Sequence, residues 1–250
     1  PRLTLFTDAA STDAAAHATR LGATTGAAVL GRALTVLADP TARPEPVQET
    51  PDQQVAALVY TSGSTGTPKG VMLSHGNLMF NALTTARARG FCPEDVIALA
   101  TPCTHIMALS TALLAALSVG ATVRLPPRFT VDGLLEALAG GATVMTGVPP
   151  MFEQILRKID AGEVAFSAPR LRLIGSGGAP LDPALKSRVE ARFGLTLNNG
   201  YGLTEAGPGV TSTVFGPVRN DGSIGYVYPD CAVRIDGPAA DGTGELPFWF

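Results

Sequence analysis

The chain has 250 residues, of which 46% are hydrophobic and 16% charged, the balance of a globular chain with a sizeable core and not of a disordered one. Its 18 basic and 21 acidic residues leave a net charge of −3, which argues against a general nucleic-acid binder, because such binding needs concentrated cationic surface to displace counterions. The three cysteines, Cys92, Cys103 and Cys231, are scattered and odd in number, so they imply no disulfide framework, have no metal-ligand spacing and favour a reducing compartment such as the cytoplasm.

The opening segment is rich in Ala and Thr, shows a weak helical pattern over residues 14–21, and carries no basic-then-apolar leader, so no signal peptide is expected. "DPTARPEPVQETP" (39–51) is Pro-rich and polar and reads as a surface connection, since proline removes backbone donors and favours extended chain. Residues 55–60 form a short apolar run suited to a strand buried on both faces. Behind it stands "TSGSTGTPKG" (61–70), followed by "GVMLS", which reads as a short strand. Residues 106–123 carry no charge, but a spanning helix needs roughly 20 mostly apolar residues. This run holds Ser110, Thr111, Ser118, Gly120 and Thr122, so a buried helix ending near Gly120, then a strand, is expected instead of a membrane span.

Further short apolar runs at 96–100, 143–147 and 171–174 predict strands. Between them Val131, Leu134, Leu135 and Leu138, and then Phe152, Ile155, Leu156 and Ile159, follow helical spacing. Asp182 before Pro183 reads as an N-cap and first helical residue, with Leu185 and Val189 on one face. The alternation predicts an α/β fold of layered sheets flanked by helices, in which ligands collect at loops leaving strand ends. No internal repeat is visible.

Three glycine-bearing loops follow apolar runs: residues 61–70, "GSGGAPLD" (175–182) and "NNGYGLTEAG" (198–207). Any one of them is equally readable as a plain turn. In the first, glycines allow close backbone approach, hydroxyls add donors, and Lys69 adds a charge able to reach a phosphate. It is not the Walker pattern, since Lys69 follows Pro68 and precedes Gly70. The third loop sets Tyr201, Thr204 and Glu205 together: a ring able to stack on a nucleobase, and a carboxylate of the kind that binds Mg²⁺ near phosphates. Thr204 and Glu205 would otherwise simply begin a helix, which Pro208 and Gly209 disfavour.

"LVYTSGSTGTPKGVMLSH" and "NGYGLTEAG" resemble the two signature motifs of the adenylate-forming (AMP-binding) superfamily of acyl- and aryl-CoA synthetases, luciferases and peptide-synthetase adenylation domains. "TPCTH", "GVPPMF", "LRLIGSGGAPL", "GSIGYVYPDCAVRI" and "GTGEL" add to the resemblance in order and spacing, from about residue 56 to 246. The resemblance implies ATP-dependent activation of a carboxylic acid to an acyl-adenylate, followed by thioester formation with coenzyme A. It implies that Thr61, Ser62, Gly63, Ser64, Thr65, Gly66, Thr67 and Lys69 hold the β- and γ-phosphates. Gly177, Gly178 and Ala179 would lie along the adenine, with Asn199, Gly200, Tyr201 and Gly202 on its other side and Tyr201 stacking. Thr204 would contact the α-phosphate and Glu205 would bind Mg²⁺. His105 would stand near the acyl and thiol passage, although a lone histidine among apolar residues is equally a core residue. Val148 and Pro149, with Gly202, would border the acyl pocket, and Cys103 is read as packing.

The resemblance also implies a division: residues 1–54 as a partial N-terminal segment with the Pro-rich connection, and 55–250 as the nucleotide- and acyl-binding core. The family's small C-terminal domain and ribose-binding aspartate are not found in this chain, and "PFWF" departs from the family's polar continuation after "GEL". The chain alone is therefore expected to be crippled in catalysis. Amino-acid adenylation domains usually carry an aspartate after the first motif and read "YGPTE"; here "PCTHIMALS" and "YGLTE" favour a plain acyl or aryl acid. A noncatalytic nucleotide- or adenylate-binding module is the other alternative.

Overall fold

A computed structural model describes residues 3–7, 12–29, 32–38, 41, 50–61, 68–126 and 129–237. The chain divides into two compact units, Pro1–Val47 and Gln48–Phe250. In the first, strands β1 (Leu3–Thr7), β2 (Thr24–Val29) and β3 (Arg32–Ala38) form an antiparallel sheet in the order β1-β3-β2, with helix α1 at Thr12–Arg20. Most of the proline-rich stretch lies outside the described residues.

The second unit is built on a seven-stranded sheet, order β12-β11-β10-β9-β8-β6-β7. Strands β6 (Val96–Leu99), β7 (Thr122–Arg124), β8 (Val144–Gly147), β9 (Leu173–Ser176) and β10 (Leu197–Gly202) run parallel. Strands β11 (Gly209–Ser212) and β12 (Tyr226–Val227) continue it antiparallel. Alternation along the strands sends side chains to two cores. Ala98, Met145, Ile174 and Leu197 pack beneath helices α5 (Val131–Ala139), α6 (Pro149–Asp160) and α7 (Pro183–Phe193), with Phe152, Ile155 and Leu156 among the buried residues of this core. Ile97, Leu99 and Val144 face α2 (His75–Ala88) and the helical run that follows β6.

That run is α3 (Ile106–Ala108), a π turn (Leu109–Leu114) and α4 (Ala115–Ser118). It stops at Gly120, whose φ is +76°, and β7 follows, as the uncharged stretch predicts. No helix among the described residues is long and apolar enough to cross a membrane. Caps fix the other boundaries. Ser74 and Asn77 form a reciprocal box at the start of α2, Thr130 caps α5, and Asp182 with Pro183 opens α7.

One expected strand is placed differently. Residues 55–60 do not enter the parallel sheet. Strand β4 (Val55–Thr61) pairs antiparallel with β5 (Lys69–Ser74) in a separate two-stranded sheet. Ala57 and Val59 pack on Leu73, Leu78 and Ile106, while Leu58 and Tyr60 on the other face are 54% and 67% exposed. A continuous apolar run does not reveal whether one face or two will be covered.

At the amino ends of the parallel strands, Asp95 ties three of them together. Its carboxylate accepts from Thr143 Oγ1 at 2.6 Å before β8, and from Arg172 Nε at 2.9 Å and Nη2 at 2.5 Å before β9. Arg172 also donates to the carbonyls of Arg89 (3.1 Å) and Gly90 (2.8 Å), fixing the end of α2. Burial pushes the Asp95 carboxyl up, but the Arg172 guanidinium, the Thr143 hydroxyl and the Cys92 N–H together hold it well below the usual carboxylate range.

Candidate active site

Strands β9 and β10 are parallel neighbours, and both reach their carboxyl ends in glycine. Ser176 closes β9 and is followed by Gly177 and Gly178, while β10 carries Gly200 and Gly202 around Tyr201. The β10–β11 register slips between Tyr201 and Gly202, which turns the chain out of the ladder at that point. A cavity of about 160 Å³ opens here, lined by Ser176, Gly177, Gly178, Gly200, Tyr201, Gly202 and Thr204 on one side. His105 and Met107, from the start of α3, line it as well, as do Arg89 and Tyr228. This is where an open α/β sheet collects ligands.

Close approach requires a glycine at 202 and leaves little room for a side chain at 177. A Cβ on Gly202 would stand 2.1 Å from the Pro208 carbonyl oxygen, and one on Gly177 would meet Met107 Sδ at 3.3 Å and the Gly200 carbonyl at 3.4 Å. The loop from Leu203 to Gly209 is closed by Leu203 N–H to Pro208 O at 3.0 Å and Gly207 N–H to Thr204 O at 3.1 Å. Within it, Thr204–Ala206 forms a single 3₁₀ turn, not a helix, as Pro208 and Gly209 lead one to expect. His105 is exposed, and its Nδ1 accepts the Met107 N–H at 3.2 Å as the N-cap of α3. A neutral imidazole so held carries its proton on Nε2.

The structure brings some of the expected residues together and separates others. His105, Gly177, Gly178, Gly200, Tyr201, Gly202 and Thr204 share the cavity wall. Asn199 does not. Its side chain is buried behind β10, with Nδ2 donating to Ser223 O at 3.1 Å and its N–H bonded to Thr213 Oγ1 at 2.9 Å. Ala179, Val148, Pro149 and Glu205 stand outside the cavity lining, although a Cβ on Gly178 would lie 3.5 Å from Val148 Cγ1. Ser62, Gly63, Ser64, Thr65, Gly66 and Thr67 lie outside the described residues. Thr61 and Lys69 face each other across the β4–β5 ladder where that loop leaves it, and Lys69 is exposed. Cys103 is half-buried against the α2 core, and burial raises its thiol pKa.

Sequence reasoning missed the part of the wall supplied by α2. Asn81, Thr85 and Arg89 recur every four residues and so share one helix face. Asn81 holds the 203–209 loop through Ala206 O (3.2 Å) and Gly209 N (2.7 Å). Thr85 Oγ1 lies 3.5 Å from the Tyr228 hydroxyl. Arg89 enters the cavity. A polar row at helical spacing in an otherwise apolar helix is the signal that could have found them. Ser176 was missed too, and its buried Oγ lines the cavity without a hydrogen-bond partner.

The donor set fits a nucleotide bound with magnesium. The unpartnered Ser176 hydroxyl, the Thr204 hydroxyl and the glycine backbone leave polar atoms and room at one wall. No group of three or more His, Cys, Asp or Glu that could hold a metal occurs among the described residues. Magnesium needs no such cage, since it usually takes one or two carboxylates together with substrate phosphates and water. Glu205, half-buried beside Thr204, suits that demand.

The AMP-binding enzyme family model matches residues 4–247. The 4-coumarate–CoA ligase 1 of Arabidopsis thaliana is 36% identical over 204 residues, covering 77% of this chain and 36% of that protein. A feruloyl-CoA synthase of Amycolatopsis sp is 36% identical over 189 residues, covering 75% of this chain and 38% of its own. Among solved structures, a malonyl-CoA ligase ternary product complex with methylmalonyl-CoA and AMP bound superposes with a TM-score of 0.71 at 33% identity, over 84% of this chain and 46% of that one. ATP-bound MatB from Rhodopseudomonas palustris gives a TM-score of 0.67 at 32% identity, over 80% of this chain and 38% of that one. The chain thus spans little more than a third of the length of the curated relatives it matches. With the family model spanning nearly its whole length and the glycine-walled cavity at the ends of β9 and β10, this chain belongs to the AMP-binding enzyme family.

Proposed function

We propose that this chain is the nucleotide- and acyl-binding core of an acid–thiol ligase, which activates a carboxylic acid with ATP as an acyl-adenylate and passes the acyl group to coenzyme A. The observation that carries the proposal is the cavity at the carboxyl ends of β9 and β10, where Tyr201 and Thr204 meet the bare backbone of Gly177 and Gly200. Coenzyme A as acceptor is supported by the names of the relatives, which are CoA ligases and synthases. In this proposal residues 1–54 are a partial N-terminal segment, and residues 55–250 hold the site. A reducing, cytoplasmic setting belongs to the same proposal, supported by three free cysteines.

The chemical difficulty is charge, because a carboxylate must attack a polyanion. Thr204, on the 3₁₀ turn at the cavity edge, would donate its hydroxyl to the α-phosphate, and Glu205 beside it would hold Mg²⁺, which would supply charge neutralisation there. The ring of Tyr201, flanked by Gly200 and Gly202, would stack on adenine, with Gly177, Gly178 and Ala179 along its other face and the backbone of Asn199 continuing the Tyr201 side. Lys69, with the residues from Thr61 to Thr67, would meet the outer phosphates. His105, in the cavity wall, would stand where acid and thiol enter, and Val148 and Pro149, outside that lining, would border the acyl pocket.

The test is acid-dependent exchange of pyrophosphate into ATP, with the chain, with a longer protein that carries it, and with Thr204→Ala and Glu205→Gln variants. The proposal expects exchange by a longer protein that carries this chain, little or none by the chain alone, and a fall of about a hundredfold when either substitution is made in the longer protein. Nucleotide binding without exchange by either would make the chain a noncatalytic nucleotide- or adenylate-binding module. Exchange driven by amino acids alone would place it with the adenylation domains of peptide synthetases.

A further inference from the structure

The cavity contains one cation that acid activation leaves unused. Arg89 caps the carboxyl end of α2 and its guanidinium lines the same space as His105, Gly202 and Thr204. Its Nη1 is buried and has no hydrogen-bond partner. None of the residues lining the cavity is acidic. Asp95, the carboxylate of the network behind α2, is already bound to Arg172, Thr143 and the Cys92 N–H. Burial lowers the Arg89 pKa, opposed by the neighbouring Tyr228, but a guanidinium stays charged in proteins. A buried charge without a counter-charge is costly unless a ligand or a neighbour offsets it.

The cavity's rim is exposed at His105, Gly178 and Gly202, whereas Tyr228, beside Arg89, is 4% exposed. Lys69, which would meet the outer phosphates, is not among the described residues of its wall. Arg172 grips the carbonyls of Arg89 and Gly90 from behind, so the backbone from which the Arg89 side chain extends is held.

We propose that Arg89 is a substrate-specificity residue that receives a second anionic group on the acid, so that the preferred substrates are dicarboxylic acids, or acids with another anionic substituent at the end remote from the activated carboxylate. The proposal rests on the acid-activation reading of the same cavity.

The experiment titrates the chain calorimetrically with straight-chain dicarboxylic acids of four to eight carbons and with their monomethyl esters, which keep one carboxylate and lose the other. The same titrations are made with Arg89→Met and Arg89→Lys, and MgATP is titrated separately into each. The expected result is that at least one diacid binds about tenfold or more tightly than its monoester. Arg89→Met should abolish that difference, Arg89→Lys should keep part of it, and neither should move MgATP affinity by more than about twofold. Arg89→Met should also melt no lower than the parent, since it removes an unpaired buried charge. Equal binding of diacid and monoester by the folded parent would overturn the proposal. So would a loss confined to MgATP, which would make a phosphate the anion, and so would a lowered melting temperature with both acids weakened alike, which would make Arg89 structural. A chain that discriminates diacids through Arg89 but takes no nucleotide would keep this proposal and sink the acid-activation reading.

Discussion

Asn81 accepts the backbone N–H of Gly209 at 2.7 Å, and the same side-chain amide donates to the Ala206 carbonyl at 3.2 Å. One residue of α2, 1% exposed, thereby fastens the whole turn that carries Thr204 and Glu205. Gly209, the first residue of β11, is in register with Gly202, yet its N–H goes to Asn81, and Ala206 lies in the turn between the two strands. The position of the two candidate catalytic side chains therefore depends on a helix that begins 129 residues earlier than Thr204 in the numbering.

Asn81→Ala removes the partner of a part-buried N–H and of a part-buried carbonyl. A loss of about 1–3 kcal/mol of stability is expected. Urea unfolding of parent and variant measures it, with MgATP titration on the folded variant showing weakened capture. A change below about 0.5 kcal/mol would mean that the turn finds other partners.

Gly202→Ala should damage binding more than folding. Its Cβ would stand 2.1 Å from the Pro208 carbonyl oxygen, so the turn must move out, taking Thr204 with it. We expect MgATP affinity to drop at least about tenfold, with a destabilisation of about 1–3 kcal/mol. Unaltered titration curves would show that the turn absorbs the methyl without displacing Thr204.

The Asp95 network predicts a pH dependence of known sign. The folded-state carboxyl is held below its unfolded value. Its contribution is therefore complete above the unfolded carboxylate range, near pH 4, and is lost as pH falls toward the folded value. Asp95 is 2% exposed but Arg172 is 38% exposed on its side chain, so the cost of Asp95→Asn is set at about 2–3 kcal/mol, below that of a fully buried pair. Denaturant midpoints measured from pH 7 to pH 2 should fall less steeply in Asp95→Asn than in the parent. Parallel curves would show that other carboxylates dominate acid unfolding.

Removing magnesium tests Glu205. With excess chelator the parent should bind ATP more weakly, and Glu205→Gln should bind MgATP no better than the parent binds metal-free ATP. The chelator should then leave the affinity of the variant unchanged. A variant that still gains from magnesium would place the ion on phosphates and water alone.

Much of this architecture was legible in the residues. Phe152, Ile155 and Ile159 are spaced for one helix face, and they do line one core. Asp182–Pro183 does open α7. The helix within the uncharged run does end near Gly120. Local rules decided these, and no long-range partner could reverse them. The β4 run failed because burial of its second face depends on what lies across from it, which composition does not carry. Arg89 and Asn81 were passed over for a related reason. Neither sits in a glycine motif, and each acquires its role only when α2 is laid against segments more than a hundred residues away. Asn199 sits inside such a motif, yet its side chain is buried on Ser223 and stands outside the cavity that Gly200 lines.

The walls of the cavity come from Arg89, His105, Ser176, Gly200 and Tyr228, segments that no short stretch of chain can bring together. Their closure has to follow formation of most of the parallel sheet, because each contact requires the entropy of a long loop to be met first. Contacts of this kind belong to the last steps of folding and the first of unfolding. A molecule seated among them should therefore act as a brake on unfolding. In stopped-flow experiments it should slow the unfolding arm, leave the refolding arm almost unchanged, and lengthen the life of the native chain against proteases in proportion.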